Sequence, residues 1–133
     1  KTIVEDALRP LMLLEMTGAL IDARAFPDGV APKGFLPKTR LSQTRNSKAI
    51  YGVYAGRDAT GMDMALALGT GWILLANTGR DLEAGDRLIS SDVPGHAELA
   101  PPVGAWVIAI VSQRVIWAKG EPARTVACRY VMG

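Results

Sequence analysis

The residues best able to do chemistry in this chain are few and lie close together. His96 is the only histidine, and it follows Ser90, Ser91 and Asp92 by a few positions. A Ser-His-Asp triad can be written from these residues, but all of them fall within one short strand and turn. Such a stretch leaves no room for a nucleophile, a base and an orienting acid to meet in their separate roles. No Gly-x-Ser-x-Gly motif occurs in the sequence either, so the sequence identifies no catalytic residue.

The sequence also indicates no metal and no cofactor. One histidine without neighbouring cysteines or a carboxylate cluster falls short of the three or four ligands of a zinc site. Asp81, Glu83 and Asp86 cluster near a turn, but they lack the Asp-x-Asn-x-Asp-Gly spacing of a calcium loop. The glycines follow neither of the phosphate-binding patterns Gly-x-Gly-x-x-Gly and Gly-x-x-x-x-Gly-Lys-Ser.

The composition is that of a chain that folds by burying apolar side chains. Of 133 residues, 49% are hydrophobic and 21% are charged, which is typical of a globular domain and not of a disordered chain. The net charge is +2, and the basic residues from Lys38 to Lys48 contain no aromatic residue between them. We therefore expect a solvated loop there and no nucleic-acid partner.

The sequence predicts no membrane span, no signal peptide and no disulfide within the chain. No apolar run reaches the ~18–20 residues of a membrane span, and Glu5 and Pro10 interrupt the only candidate signal peptide. Cys128 is the single cysteine, and its small apolar neighbours predict a buried thiol that packs like a small hydrophobic side chain.

Residues 1–48 are predicted to form an N-terminal arm with an apolar segment and a proline-rich loop. Residues 4–9 are compatible with a short helix that ends at Pro10, because the residue before a proline avoids the α region. The apolar cluster that follows is either a strand or an amphipathic helix, since six residues do not distinguish the two periods. Between Phe26 and Ser47, prolines and glycines predict a loop of the length seen in arms that contact a partner. We expect four apolar residues to form an interface: Leu11, Leu13, Leu14 and Met16.

Residues 49–133 have the pattern of a compact β-barrel or sandwich. Short strands recur roughly every ten residues with turn residues between them. They are expected at residues 49–54, 62–68, 72–76, 87–90, 105–111, 115–117 and 124–131. The side chains expected in the core are Trp72, Ile73, Leu75, Trp106, Ile108, Ile110, Val126 and Cys128. The predicted fold class is therefore mainly β, with short strands and an extended N-terminal arm.

A set of turn residues is predicted between residues 82 and 97. The members of this set are Gly85, Asp86, Ser91, Asp92, Pro94 and Gly95. Gly85 and Asp86 form a bend that directs Leu88 inward, and the short side chains of the second half bond the local backbone. The Pro-Gly pair predicts a type II turn in which Gly95 has a positive φ.

The segment from Gly69 to Ala97 resembles a module found near the C-termini of bacteriophage tail-fibre and appendage proteins. The resemblance lies in the Gly-x-Gly-aromatic strand of Gly69–Trp72, in the Leu-x-x-Gly-Asp of Leu82–Asp86 and in the Pro-Gly-His-Ala of Pro94–Ala97. Together with weaker similarity on either side, it covers residues 49–133 and not the arm.

This resemblance implies a structural role in a virion. Modules of this kind assemble as trimers, so the expected partners are further copies of the chain, other virion proteins and a host-surface glycan. Some relatives are intramolecular chaperones that cleave themselves off, which gives an autoproteolytic alternative. This alternative needs a matched nucleophile, and the sequence identifies none; Ser91-Asp92 is chemically a candidate scissile or active pair, but it lies in the predicted turn. A carbohydrate-binding module is a second alternative, because the three tryptophans are a potential stacking platform for sugars.

Overall fold

The strands of the described chain divide between an open sheet and a closed barrel. The computed structural model describes residues 3–4, 9–22 and 35–132. The sheet consists of β1 (Ile3–Val4), β2 (Leu13–Asp22), β3 (Phe35–Leu41), β4 (Ile50–Arg57) and β5 (Asp63–Leu66). The barrel consists of β6 (Leu68–Ala76), β7 (Arg87–Ser90), β8 (Ala97–Leu99), β9 (Ala109–Val111) and β10 (Ala123–Val131). The predicted fold class, mainly β with a compact barrel, is confirmed.

The pairing order separates the two units. The sheet has the order β1-β3-β2-β4-β5, and the barrel closes in the order β10-β6-β8-β7-β9. The longest ladder joins β6 to β10, from the pair Ala76–Ala123 to the pair Leu68–Val131. Within the described ranges, the structure contains no helix of the length and hydrophobicity that a membrane span requires.

The arm contains more regular structure than its sequence predicts. The loop predicted from Phe26 to Ser47 is wrong in part, because β3 occupies Phe35–Leu41. Pro37 lies in this strand opposite Leu20, where the ladder resumes after an irregularity, and prolines in sheets concentrate at such bulges. Residues 23–34 of the predicted loop lie outside the described residues.

The apolar cluster after Pro10 is a strand from Leu13 onward. Of the helix predicted over residues 4–9, Val4 belongs to β1 and Arg9 is not helical, whereas residues 5–8 lie outside the described residues. The strand predicted at 115–117 is reduced to one bridge between Val115 and Leu82.

The alternating run from Met62 to Leu68 does not form one half-buried strand. β5 ends at Leu66 in the sheet, and β6 begins at Leu68 in the barrel. Met62 is buried, whereas Leu66 and Leu68 are 46% and 70% exposed. The period-2 pattern is interrupted because the chain passes from one unit to the other at Ala67.

One hydrophobic core joins the sheet to the barrel. Leu13 and Val53 of the sheet belong to the same buried cluster as the barrel residues. Five of the predicted core residues are buried: Ile73, Leu75, Ile108, Val126 and Cys128. Ile110 is only partly buried.

The predicted burial of Trp72 and Trp106 is wrong. Trp72 is 52% exposed and Trp106 is 57% exposed. Because Ile73 and Leu75 face the barrel interior, the alternation along β6 directs Trp72 outward. Trp106 precedes β9 and lies outside any strand.

The predicted Pro-Gly turn is present. Gly95 has a φ of 76°, and the His96 N–H donates to the Val93 carbonyl at 3.1 Å. This is the hydrogen bond of a four-residue turn with glycine at the third position.

The same glycine also docks the turn against the sheet. Its N–H donates to the Ser42 carbonyl and its carbonyl accepts from the Leu13 N–H, both at 2.9 Å. A Cβ at this position would lie 2.9 Å from Leu41 Cδ1 and 3.2 Å from Met12 Cβ. Gly95 is therefore required by its positive φ and by the close approach of the sheet.

Replacing Gly95 with alanine should destabilise the fold more than the same change at Gly79. Both glycines have positive φ, but nothing lies within 4 Å of a Cβ at Gly79. Gly79→Ala should therefore cost only the ~1–2 kcal/mol of the left-handed conformation. Gly95→Ala adds the steric conflict with Leu41 and Met12. Its loss in the free energy of unfolding should therefore exceed that of Gly79→Ala by at least about 1 kcal/mol. Urea denaturation of both variants measures the difference, and equal losses would contradict this account of the docking.

Candidate functional site

Ser91, Asp92 and His96 lie in the turn before β8, and Ser91 and His96 hydrogen-bond within it. The Ser91 hydroxyl accepts from the Val93 N–H at 2.9 Å, and Ser91 is 1% exposed. His96 Nδ1 lies 2.8 Å from the Pro94 carbonyl oxygen, and Asp92 is exposed. The arrangement stabilises the turn and does not assemble a nucleophile with a base.

The second predicted turn lies in the connection between β6 and β7 and is hydrogen-bonded to the end of β9. The Asp86 carboxylate accepts from the Glu83 N–H at 2.8 Å, and the Gly85 N–H donates to the Val111 carbonyl at 2.8 Å. Gly85 has a φ of 97°, and Leu88 is fully buried beyond the bend. Within the described ranges, no group of three or more His, Cys, Asp or Glu side chains is placed to hold a metal ion.

A buried polar cluster around Ser90 joins the sheet to the barrel. The Ser90 hydroxyl donates to the Thr44 carbonyl at 2.7 Å and accepts from the Ser47 N–H at 2.8 Å. The Ser90 carbonyl accepts from the Asn46 N–H at 2.9 Å. We call residues 42–49, which connect β3 to β4, the seam. Sequence reasoning missed its role, and the only available signal was its run of short polar residues that favour backbone hydrogen bonds.

Two basic residues near the seam neutralise buried carboxylates. Arg40 Nε lies 3.1 Å from Glu15 Oε1, and Arg45 Nε lies 3.2 Å from Glu98 Oε2. Glu15 and Glu98 are 3% and 8% exposed, and buried carboxylates require such partners. The predicted solvated loop is wrong for Arg40, which lies in β3, whereas Arg45 lies between strands and stays exposed although it pairs with Glu98.

Asn46 positions an exposed tryptophan. Its Oδ1 accepts from the backbone N–H of Trp106 at 2.8 Å, and its Nδ2 donates to the Gly104 carbonyl at 2.9 Å. Trp106 lines a shallow cleft of about 170 Å³ between the sheet and the barrel. The walls of the cleft include Lys48, Ile50, Val131 and Met132.

An exposed apolar surface covers the outer face of the β6–β10 ladder. We call it the barrel strip, and it consists of Leu68, Thr70, Trp72, Ala127, Arg129 and Val131. Leu68 is paired with Val131, and Trp72 with Ala127. Leu68 is 70% exposed, Trp72 52% and Val131 36%. Val131 also lines the Trp106 cleft, so the strip and the cleft are continuous.

A second exposed apolar surface lies on the β2–β3 hairpin. On its β4 side, β2 is hydrogen-bonded as far as Met16, whose N–H donates to the Ala49 carbonyl at 2.8 Å. Beyond this point no described strand other than β3 pairs with β2. We call residues 16–22 and 35–39 the ribbon. Its Met16 and Leu20 are 41% and 63% exposed.

The four residues predicted as an interface are thus divided. Leu13 and Leu14 are fully buried within the chain, and Leu11 is partly buried. Met16 is the one that remains exposed on the ribbon. Leu20, which lies further along the ribbon, was missed because it stands outside the apolar cluster in the sequence.

Comparison of the chain with protein-family models, with curated proteins and with solved structures found no match.

Replacing Ser90 with alanine should destabilise the fold by ~1–3 kcal/mol, because it leaves the Ser47 N–H and the Thr44 carbonyl without their partner. Ser112→Ala is the matched control, since Ser112 is exposed and its loss should change stability by less than about 0.5 kcal/mol. Chemical denaturation measures both. A loss at Ser90 no larger than at Ser112 would show that the seam does not depend on this hydroxyl.

The Cys128 thiol should react slowly in the folded protein at pH 8. Cys128 is 1% exposed, and burial raises the pKa of its thiol to about 11. The reactive thiolate is therefore scarce at pH 8 in the native state and becomes available on unfolding. Labelling with a thiol reagent, followed with and without denaturant, tests this, and equal rates would place the thiol on the surface.

Proposed function

We propose that this chain is a self-associating structural module of a bacteriophage tail fibre or related virion appendage. The resemblance of residues 69–97 to such modules supports the virion assignment, and those residues form β6, β7 and the turn into β8. The proposed partners are further copies of the chain, with a trimer as the expected assembly, and neighbouring virion proteins. The observation that carries the self-association is the ribbon.

The ribbon is unusual because its distal part, residues 20–22 and 35–37, pairs with no described strand outside the ribbon, and because Leu20 in this part is exposed. An isolated two-stranded hairpin is at best marginally stable in water. Leu20 is more exposed than Met16, and it lies further from β4. Burial of such side chains contributes ~1.5–3 kcal/mol each when complete, so a partner that covers the ribbon would stabilise it.

The ribbon also offers backbone groups to a partner. Along residues 17–22, the side of β2 that faces away from β3 has no described strand beside it. Such edges readily pair with another chain, and monomeric proteins usually protect them with charges or short strands. The irregularity between Met16 and Leu20, where Gly18 has a φ of 88°, bends the strand. The edge is thus interrupted, and no described strand covers it.

Carbohydrate binding is a second candidate, and the exposure of Trp106 favours it. This side chain lies at a cleft that also contains Lys48, and an exposed indole presents both an apolar face and a polar N–H. A glycan array compares the unchanged chain with Trp106→Ala. Carbohydrate binding requires that the unchanged chain bind a glycan and that Trp106→Ala not bind it.

Replacing Leu20 with aspartate should weaken self-association and leave the fold intact. Light scattering of the unchanged chain at micromolar concentration should show an oligomer. Leu20→Asp should shift it toward the monomer mass, because a charge in the contact must be desolvated. At concentrations at which both proteins are monomeric, the thermal unfolding midpoint of Leu20→Asp should lie close to that of the unchanged chain, since Leu20 is 63% exposed.

Ile116→Asp serves as the control for this experiment. Ile116 is 53% exposed. Its carbonyl accepts a hydrogen bond from the Arg124 side chain, and Arg124 lies at the start of β10, at the other end of the strand from Val131. This variant should remain as oligomeric as the unchanged chain. A monodisperse species of monomer mass for the unchanged chain would overturn the proposal.

A further inference from the structure

We propose that the ribbon of one copy docks on the barrel strip of the next copy. This inference rests on the proposed self-association and names the two surfaces that meet. Each surface exposes apolar side chains in the fold of the single chain, and the two belong to different units. A head-to-tail contact covers both at once.

The barrel strip is a continuous surface because of the β6–β10 register. The cross-strand pairs Leu68–Val131, Thr70–Arg129 and Trp72–Ala127 follow one another along the ladder. Side chains directly opposite on one face of an antiparallel pair lie ~4.5–5.5 Å apart at Cβ. At the Val131 end, the surface continues to the indole of Trp106.

The size of this surface fits one side of a protein interface. Leu68, Trp72, Trp106 and Val131 are 70%, 52%, 57% and 36% exposed, which amounts to apolar area on the order of 400 Å². A stable interface buries about 800 Å² per partner, of which ~56–65% is apolar. The strip with Trp106 therefore supplies most of the apolar area that one partner contributes.

The partner is a second copy because the same chain carries the complementary element. Arg129 has an exposed side chain in the middle of the strip, and no described residue hydrogen-bonds to it. The outer edge of β2 offers carbonyl groups along residues 17–22 that no described strand occupies. A guanidinium is a suitable donor to such carbonyls, so the ribbon brings both apolar side chains and acceptors to the strip.

The contact is heterologous, since two different surfaces meet. A ribbon-to-ribbon contact with two-fold symmetry would leave Trp72 and Leu68 exposed. Heterologous contacts form a ring when the rotation between copies closes. A three-membered ring covers every ribbon and every strip in the assembly.

Cross-linking tests the contact directly. The double variant Leu20→Cys/Thr70→Cys places one thiol on the ribbon and one in the strip, and Thr70 is exposed between Leu68 and Trp72. A short bis-maleimide should link chains to one another and give a covalent product of closed-ring mass on a denaturing gel. Neither single variant should give this product, and the unchanged chain should give none because Cys128 is buried.

Charge substitution provides the second measurement. Trp72→Glu should weaken association at least tenfold, whereas Ile116→Glu should leave it unchanged although the two side chains are equally exposed, at 52% and 53%. Circular dichroism shows whether both variants are folded. If Trp72→Glu does not fold, Thr70→Lys provides a milder substitution in the strip.

The outcomes separate this inference from the proposed function. An oligomer that survives Trp72→Glu and gives no mixed cross-link overturns the docking and leaves self-association standing. A product from Leu20→Cys alone shows a two-fold ribbon contact and also overturns the docking. A monomeric chain that binds a glycan through Trp72 assigns the strip to a saccharide and overturns both.

Discussion

The hydroxyl of Ser90 is the contact on which the arrangement of the two units depends. It donates to the Thr44 carbonyl and accepts from the Ser47 N–H, so one side chain of β7 fixes two points of the seam. Because Ser90 is 0% exposed, water does not replace either bond when the hydroxyl is lost. Gly95 adds a second attachment through Ser42 and Leu13. Together with the shared core, these bonds make the sheet and the barrel one body.

A fixed orientation of the two units has a consequence for the exposed surfaces. The ribbon extends from the sheet and the strip lies on the barrel, and neither covers the other within the chain. A flexible connection would let the ribbon fold back on its own barrel and satisfy both surfaces in a monomer. The hydrogen bonds of the seam oppose such a rearrangement, which favours the proposed contact between molecules over one within the chain. Pre-organisation of this kind lowers the entropic cost of association.

Local patterns predicted the strands, and long-range contacts decided the rest. The apolar run at residues 72–76 and the β-branched run at residues 124–131 correctly predicted β6 and β10, because such composition is a local property. The sequence did not reveal that Ser47 meets Ser90, since 43 positions separate them. It also misassigned Trp72, because hydrophobicity alone predicts burial and only the register shows which face a residue takes. Pro37 concealed β3 for the same reason, since its position beside an irregularity is set by the partner strand.

The outward direction of Trp72 is a requirement of the barrel and not an accident of it. Tyr130 is 2% exposed, and its hydroxyl donates to the Trp72 carbonyl. A Cβ at Gly71 would overlap the Tyr130 ring, so the glycine makes space for the ring inside the barrel. With Gly71 and Ile73 facing inward, position 72 has no alternative to the outer face. Any polar residue would satisfy that position as far as the fold is concerned. A tryptophan there leaves a large apolar side chain 52% exposed, and large exposed apolar side chains grouped with others are typical of interaction surfaces.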